Sequence, residues 1–462
     1  MEIKEELKET QQKLSKVNTS FFEFVERHPV AFQASTFRTL DLNSKLFVLQ
    51  PWPTFINKTA VDEFREASVK VFELIKSIPQ RIFGNNVEKI SAYYGLPLQV
   101  VKLHLEGATE RHIRDLVGRG DFLLGPSGLK CLEFNITANL GGWYVPVWET
   151  LYLNHPLVGK FLREYQVKTH NSNLIHQFLE HILEAILLES ENLHSPERNT
   201  VFVVKNYMSE AADLGVYLNA YYQTLLKKKD RHLTGEVMVC DYHHMKTIDK
   251  HLYYKGKRIH ALVEFYNGLV PPEVQDVFRA GNVRLWNGPI TDLLSSKLNL
   301  ALLSDYHAAG SCFSDEEKRI IDRFIPWSRK VTRGSSTYGT EIIDLEHFIL
   351  SQKDRLVIKS SVGYGGKSVF VGQKLSATEW EGVLRKALEG GNWMVQEFVE
   401  ALSAVYQSGE NGYEPHDMVW GIFVLGSQYG GTWVRVMPQK DNKGTINCHQ
   451  GARVSVIFEV DE

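Results

Sequence analysis

Apolar residues recur along this chain in two rhythms. Within residues 61–75, Phe64, Val71, Phe72, Leu74 and Ile75 fall at roughly helical spacing, and residues 1–110 read mainly as helical. Near Arg119 the rhythm changes. Residues 121–124 and 129–134 are short apolar-rich runs joined by GPSG at 125–128, the pattern of two strands and a tight turn. A loop over 135–143 follows, then an amphipathic helix over 174–187 with Phe178, Ile182 and Ile186 on one face. Strand-like runs at 201–204, 237–240, 261–265 and 283–285 alternate with helical stretches at 211–226 and 273–280, which predicts a small parallel α/β layer. The final third predicts a helix around 290–303 and another over 377–388. Its strands are expected at 356–359, 369–372, 393–398, 419–424, 432–437 and 453–458.

These rhythms divide the chain into a helical region (1–110), a strand-hairpin segment (111–198), the small α/β layer (199–290) and a mixed C-terminal part (291–462). The fold class is therefore α+β with an α/β unit inside it. The chain has 462 residues, enough for more than one core. Its 43% hydrophobic and 23% charged residues are those of an ordinary globular protein. A net charge of −3 gives no overall support for a nucleic-acid partner. The four cysteines, Cys131, Cys240, Cys312 and Cys448, lie far apart without a CxxC pair, so neither a zinc site nor a disulfide framework is signalled. The opening residues, rich in Lys, Glu and Gln, do not read as a secretory signal, and no run of about 18 apolar residues predicts a membrane span. A cytoplasmic protein is expected.

The clearest local signal for chemistry is SVGYGGKS at 361–368. Gly363, Gly365 and Gly366 let backbone N–H groups approach an anion, Lys367 adds a charge, and Ser360, Ser361 and Ser368 add hydroxyls. Phosphate is the natural guest. The segment nearly matches a Walker A loop, but such a loop opens a helix. Here a β-branched and aromatic run, Val369-Phe370-Val371, follows directly. The expected geometry is strand, loop, strand: a flap. Lys359, at the end of the first strand, could reach α- or β-phosphate oxygens. The polar pair Gln396-Glu397, with Val399 after it, interrupts an apolar strand and could present backbone groups to an adenine edge and a carboxylate to a ribose.

Far upstream, Arg119 and Asp121 stand two apart on one predicted strand, and Glu133 and Asn135 two apart on its partner. Residues two apart share a face. Asp121, Glu133 and Asn135 would form an oxygen-only set suited to Mg²⁺, with Arg119 beside them to stabilise a phosphate or oxyanion. The plainer reading is an ion-pair network on a solvated hairpin. By the same alternation Cys131 shares the face of Glu133, as a packing residue. Trp143 and Trp148 read as core.

Together the two signals resemble the ATP-grasp superfamily. Because Glu133 and Asn135 precede the glycine-rich loop, the likeness is to its circularly permuted branch, to which glutathionylspermidine synthetase belongs. The resemblance covers about residues 115–460. It implies a permuted ATP-grasp fold, with residues 199–290 as the small domain and Trp433, Arg435, Ile446 and Asn447 in the strands closing the site. It also implies a carboxylate–amine ligase using ATP and Mg²⁺, with metal on Asp121, Glu133 and Asn135. Lys359 and one upstream base would hold the nucleotide; that base could be Lys330, equally Arg329, with Lys297 a third candidate. Arg119 and Arg435 would stabilise the transferred phosphoryl group. Other readings are a small-molecule phosphotransferase and a non-catalytic nucleotide-binding regulator. The identity of the acid and amine is unreadable from these residues.

Overall fold

The computed structural model describes residues 5–28, 48–143, 145–170, 173–189, 195–204, 209–265, 270–286, 288–306, 312–361, 363, 368–408 and 412–462. The expected flap residues Gly365, Gly366 and Lys367 lie outside these. The fold is mixed α/β, and no helix among the described residues is long and apolar enough to cross a membrane.

Its centre is a six-stranded antiparallel sheet. The strands Arg453–Ser455, Gln428–Pro438, Gly412–Leu425, Val117–Gly125 and Gly128–Asn135 lie in that order, and Ser403–Ser408 pairs with the first half of Gly412–Leu425. One face is apolar. The helix Lys58–Arg81, capped by Asn57 through a 2.9 Å bond from the Ala60 N–H, covers it. Phe64 packs on Trp420, and Phe72 stacks on Phe134 at 5.1 Å. Gly120 makes room for this layer: a Cβ there would lie 2.3 Å from the Phe122 ring and 2.8 Å from that of Phe134. The N-terminal region thus shares one core with the central sheet. Thr54–Asn57 also pairs in parallel with the C-terminal Ile457–Val460.

Over the other face lies a four-stranded antiparallel sheet, in the order Ser328–Lys330, Trp393–Glu397, Leu356–Ser360, Val369–Val371. It has its own core, in which Leu356, Ile358 and Val395 pack against Trp380, Leu384 and Ala387 of the helix Ala377–Gly390. A capping box between Ser376 and Glu379 starts that helix and Gly391 in the left-handed region ends it. The glycine-rich segment joins two antiparallel strands, with Lys359 opposite Val369, as its flanking residues predict.

The small unit is a parallel sheet, Arg284–Trp286, Ala261–Glu264, Thr200–Val203, Val237–Cys240, crossed by the helices Ser209–Lys229 and Pro272–Arg279. Two expectations are corrected. The helix foreseen around 290–303 is broken into Ile290–Leu294 and Leu298–Ser304. Ser295 caps the first helix and its hydroxyl exchanges bonds with the backbone of Ile136, and Asn299 donates to the carbonyls of Leu293 and Leu294. The strand foreseen at 453–458 divides between two sheets at Val456.

Candidate functional site

A cavity of about 300 Å³ separates the central sheet from the flap sheet. From the central sheet come Asp121, Leu123, Leu132, Glu133, Asp417, Val419 and Arg435; from the other side come Val357, Lys359, Ser360, Gly363, Ser368, Val369 and Gln396. Residues 397–401 form one end and the loop carrying Asn442 to Asn447 another wall. The period of two accounts for most of this. Leu356 and Ile358 enter the flap core, so Val357 and Lys359 face the cavity.

The hairpin register places Asp121 opposite Glu133 and Arg119 opposite Asn135. A bulge follows Asp121, and Phe122 pairs with Cys131, leaving Leu132 as the extra residue. Leu132 and Glu133 therefore both line the cavity, while Cys131 is fully buried in the core beside Phe122. The expectation that Cys131 shares the face of Glu133 is thereby corrected: the inserted residue shifts the alternation. Burial also pushes its thiol pKa well up, which removes it as a nucleophile.

At one end of the cavity charges are dense. Arg119 grips Asp121 side-on, at 2.9 and 3.2 Å, and donates to the Gly141 carbonyl at 2.9 Å. Arg435 reaches the same carboxylate at 2.8 Å. Lys297 pairs with Glu133 at 3.0 Å, and its ammonium also donates to the Gly363 carbonyl at 3.2 Å. Lys359 donates to Gln396 Oε1 at 2.6 Å and to the Leu132 carbonyl at 3.3 Å. Among the described residues four cationic side chains meet two carboxylates, a surplus of two positive charges. Burial alone would raise the Glu133 pKa, but Lys297 and Lys359 together bring it down to about 2. Burial, aided by nearby Lys297, lowers Lys359 to about 8 against the pull of Glu133. Such an end is built for a polyanion. The other end carries Glu397, Glu400 and Asp417, and the apolar Leu123, Val357, Val369, Phe398, Val399 and Val419 line the walls.

The structure brings together Asp121, Glu133, Lys359, Gly363, Ser368, Gln396, Glu397, Val399 and Arg435. It does not bring Lys330, whose ammonium donates to the Tyr93 carbonyl at 2.5 Å outside the cavity. Arg329 is held by Ser304, Thr337 and Asp305. Lys297 is the upstream base that arrives, beside the helix break. Arg119 stands behind the lining, its guanidinium spent on Asp121 and Gly141. Asn135 also lies off the lining. Ser361 is buried behind Ser360, its backbone tied to Asn392 and Lys297. Gln396 turns its amide to Lys359 and to Ser328 Oγ rather than into free space. Trp143 is core, stacked on Phe178 at 4.4 Å. Leu132, Glu400, Asp417 and Asn442 were not foreseen. Alternation along Gly412–Leu425 could have paired Asp417 with Val419, but nothing local says which face that is.

No protein-family model matches the chain, and no curated protein matches it.

Proposed function

We propose that the chain is an ATP-dependent carboxylate–amine ligase of permuted ATP-grasp type, releasing ADP and phosphate. The supporting observation is the graded cavity between two antiparallel sheets: cationic at the flap end, apolar between its walls, and acidic at the far end. A triphosphate fits the cationic end, a planar base fits between Val357, Val369 and Val419, and a ribose diol fits near Glu397 and Glu400.

The chemistry then runs in two displacements. A substrate carboxylate oxygen attacks the γ-phosphorus; the bond to the β-bridging oxygen breaks and ADP departs. The amine nitrogen attacks the acyl carbon of the acyl phosphate. The carbon–oxygen bond to phosphate breaks, phosphate leaves, and the new amide nitrogen loses its proton. Lys297 and Lys359 hold the phosphates, and Arg435 offers its guanidinium to the transferred group. One such donor is worth about 3–4 kcal/mol in related sites. An amine arriving neutral requires no side-chain base. Of the residues expected to hold Mg²⁺, Glu133 fits best: its side chain is 31% exposed and lines the cavity, whereas that of Asp121 is 6% exposed and held by two arginines. A divalent ion there would neutralise phosphate charge.

The test is an ADP-release screen over amino acids, short peptides and polyamines, with mass spectrometry of products. ADP and phosphate appearing only when acid and amine are both present is the expected result. ADP with a stable phosphorylated product indicates a phosphotransferase, AMP indicates adenylation, and ATP binding without turnover indicates a regulator; each displaces the ligase.

A further inference from the structure

Asp121 and Glu133 face each other across one strand pair, yet their surroundings differ. Asp121 is 4% exposed. Its Oδ1 accepts from Arg119 Nε, and its Oδ2 accepts from Arg119 Nη2 and Arg435 Nη2. Both oxygens are thus occupied by fixed guanidinium donors. The arginines cannot easily leave. Arg119 is tied to the Gly141 carbonyl and lies 5.3 Å from the Trp433 ring, with Arg435 at 5.5 Å from the same ring. The bracket is built into the sheet: Gly421 sits opposite Asp121, and a Cβ there would come within 2.0 Å of Trp433 Nε1 and 2.9 Å of Arg119 Cδ. A divalent cation on Asp121 would stand beside two immobile positive charges. Among the described residues the ion-pair partner of Glu133 is Lys297, on a flexible stem that can swing to a phosphate, and Lys359, the other cation beside it, is likewise a lysine rather than a paired guanidinium. Among the described arginines, Arg435 is the one that lines the cavity.

We propose that Asp121 is a positioning residue rather than a metal ligand: with Arg119 it aims the Arg435 guanidinium at the transferred phosphoryl group, while the ion accompanying the nucleotide rests on Glu133. This deepens the ligase proposal and rests on it. The test reads metal uptake separately from turnover. Free Mn²⁺, standing in for Mg²⁺, is titrated by electron paramagnetic resonance against the full chain and a non-hydrolysable ATP analogue. Glu133→Gln weakens uptake by about tenfold or more, and Asp121→Asn by less than about threefold. In ADP release, Asp121→Asn and Arg435→Met each lower kcat by about 100-fold with KM for ATP little changed. The double variant is no slower than Arg435→Met alone, because one acts through the other. If Asp121→Asn does not fold, Asp121→Glu is read in its place: Mn²⁺ uptake is kept and kcat falls. Loss of Mn²⁺ uptake in the Asp121 variants matching that of Glu133→Gln overturns the proposal, as does a double variant whose losses multiply. Wild-type protein that takes up no nucleotide–Mn²⁺ sinks the ligase proposal and this one with it; wild-type uptake lost on changing Asp121 sinks this one alone.

Discussion

Replacing Lys359 by Met separates what this lysine does for the fold from what it does for a ligand. Lys359 is 6% exposed, and burial lowers its pKa from 10.5 to about 8. At roughly 1.4 kcal/mol per pH unit, holding it charged at pH 7 costs the ligand-free fold on the order of 3 kcal/mol. Methionine keeps most of the stem and removes the charge. Glu133 loses a neighbour but retains Lys297 at 3.0 Å, so part of the gain is returned. Gln396 Oε1 and the Leu132 carbonyl also lose their donor, which returns about 1 kcal/mol or more, and a net stabilisation on the order of 1 kcal/mol remains. The sign with pH follows. Between about 8 and 10.5 the unfolded lysine holds a proton that the folded one has lost, so wild-type stability from this group rises with pH across that window and its cost is fully present below it. The variant lacks this slope. Thermal unfolding of both proteins from pH 7 to 10, with and without ATP, is the assay. The expected outcome is a variant that melts higher than wild type at pH 7 and is no longer stabilised by ATP. Wild type at 100 times its Kd should gain about 2.7 kcal/mol. A variant that melts several degrees lower, or that responds fully to ATP, refutes the reasoning.

Two further outcomes test the frame around the site. Asp115 is 7% exposed and pairs with Arg284 and with Arg114 at 2.8 Å; Asp115→Ala strands the buried Arg284 and should cost about 3–5 kcal/mol by urea denaturation, a loss under 1 kcal/mol contradicting it. Burial raises the Glu264 pKa from 4.5 to about 7 despite the bond from Tyr242, so the folded state binds the extra proton between those values. Wild-type stability should fall with rising pH from 4.5 to 7, and Glu264→Gln should flatten that fall; parallel melting curves for the two proteins would count against it.

What the sequence determined was local. The hairpin carrying Arg119, Asp121, Glu133 and Asn135, the strand–loop–strand form of the flap, and the parallel unit were all legible, because alternation, β-branching and glycine turns act over a few residues. Tertiary structure decided which of those residues meet. Leu132 enters as a bulge only because Asp121 and Glu133 are paired, and that insertion turns Cys131 into the core. Lys297 lies in the cavity wall next to a helix end whose Ser295 is bonded to the Ile136 backbone, 159 residues away in sequence, while Lys330 is held off by the Tyr93 carbonyl. Arg119 withdraws and Arg435 faces the cavity because Asp121 and Trp433 lie between strands that only the folded sheet brings together. The period of a strand says that two side chains share a face; which face is buried, and what waits there, is set by contacts that no short window of sequence contains.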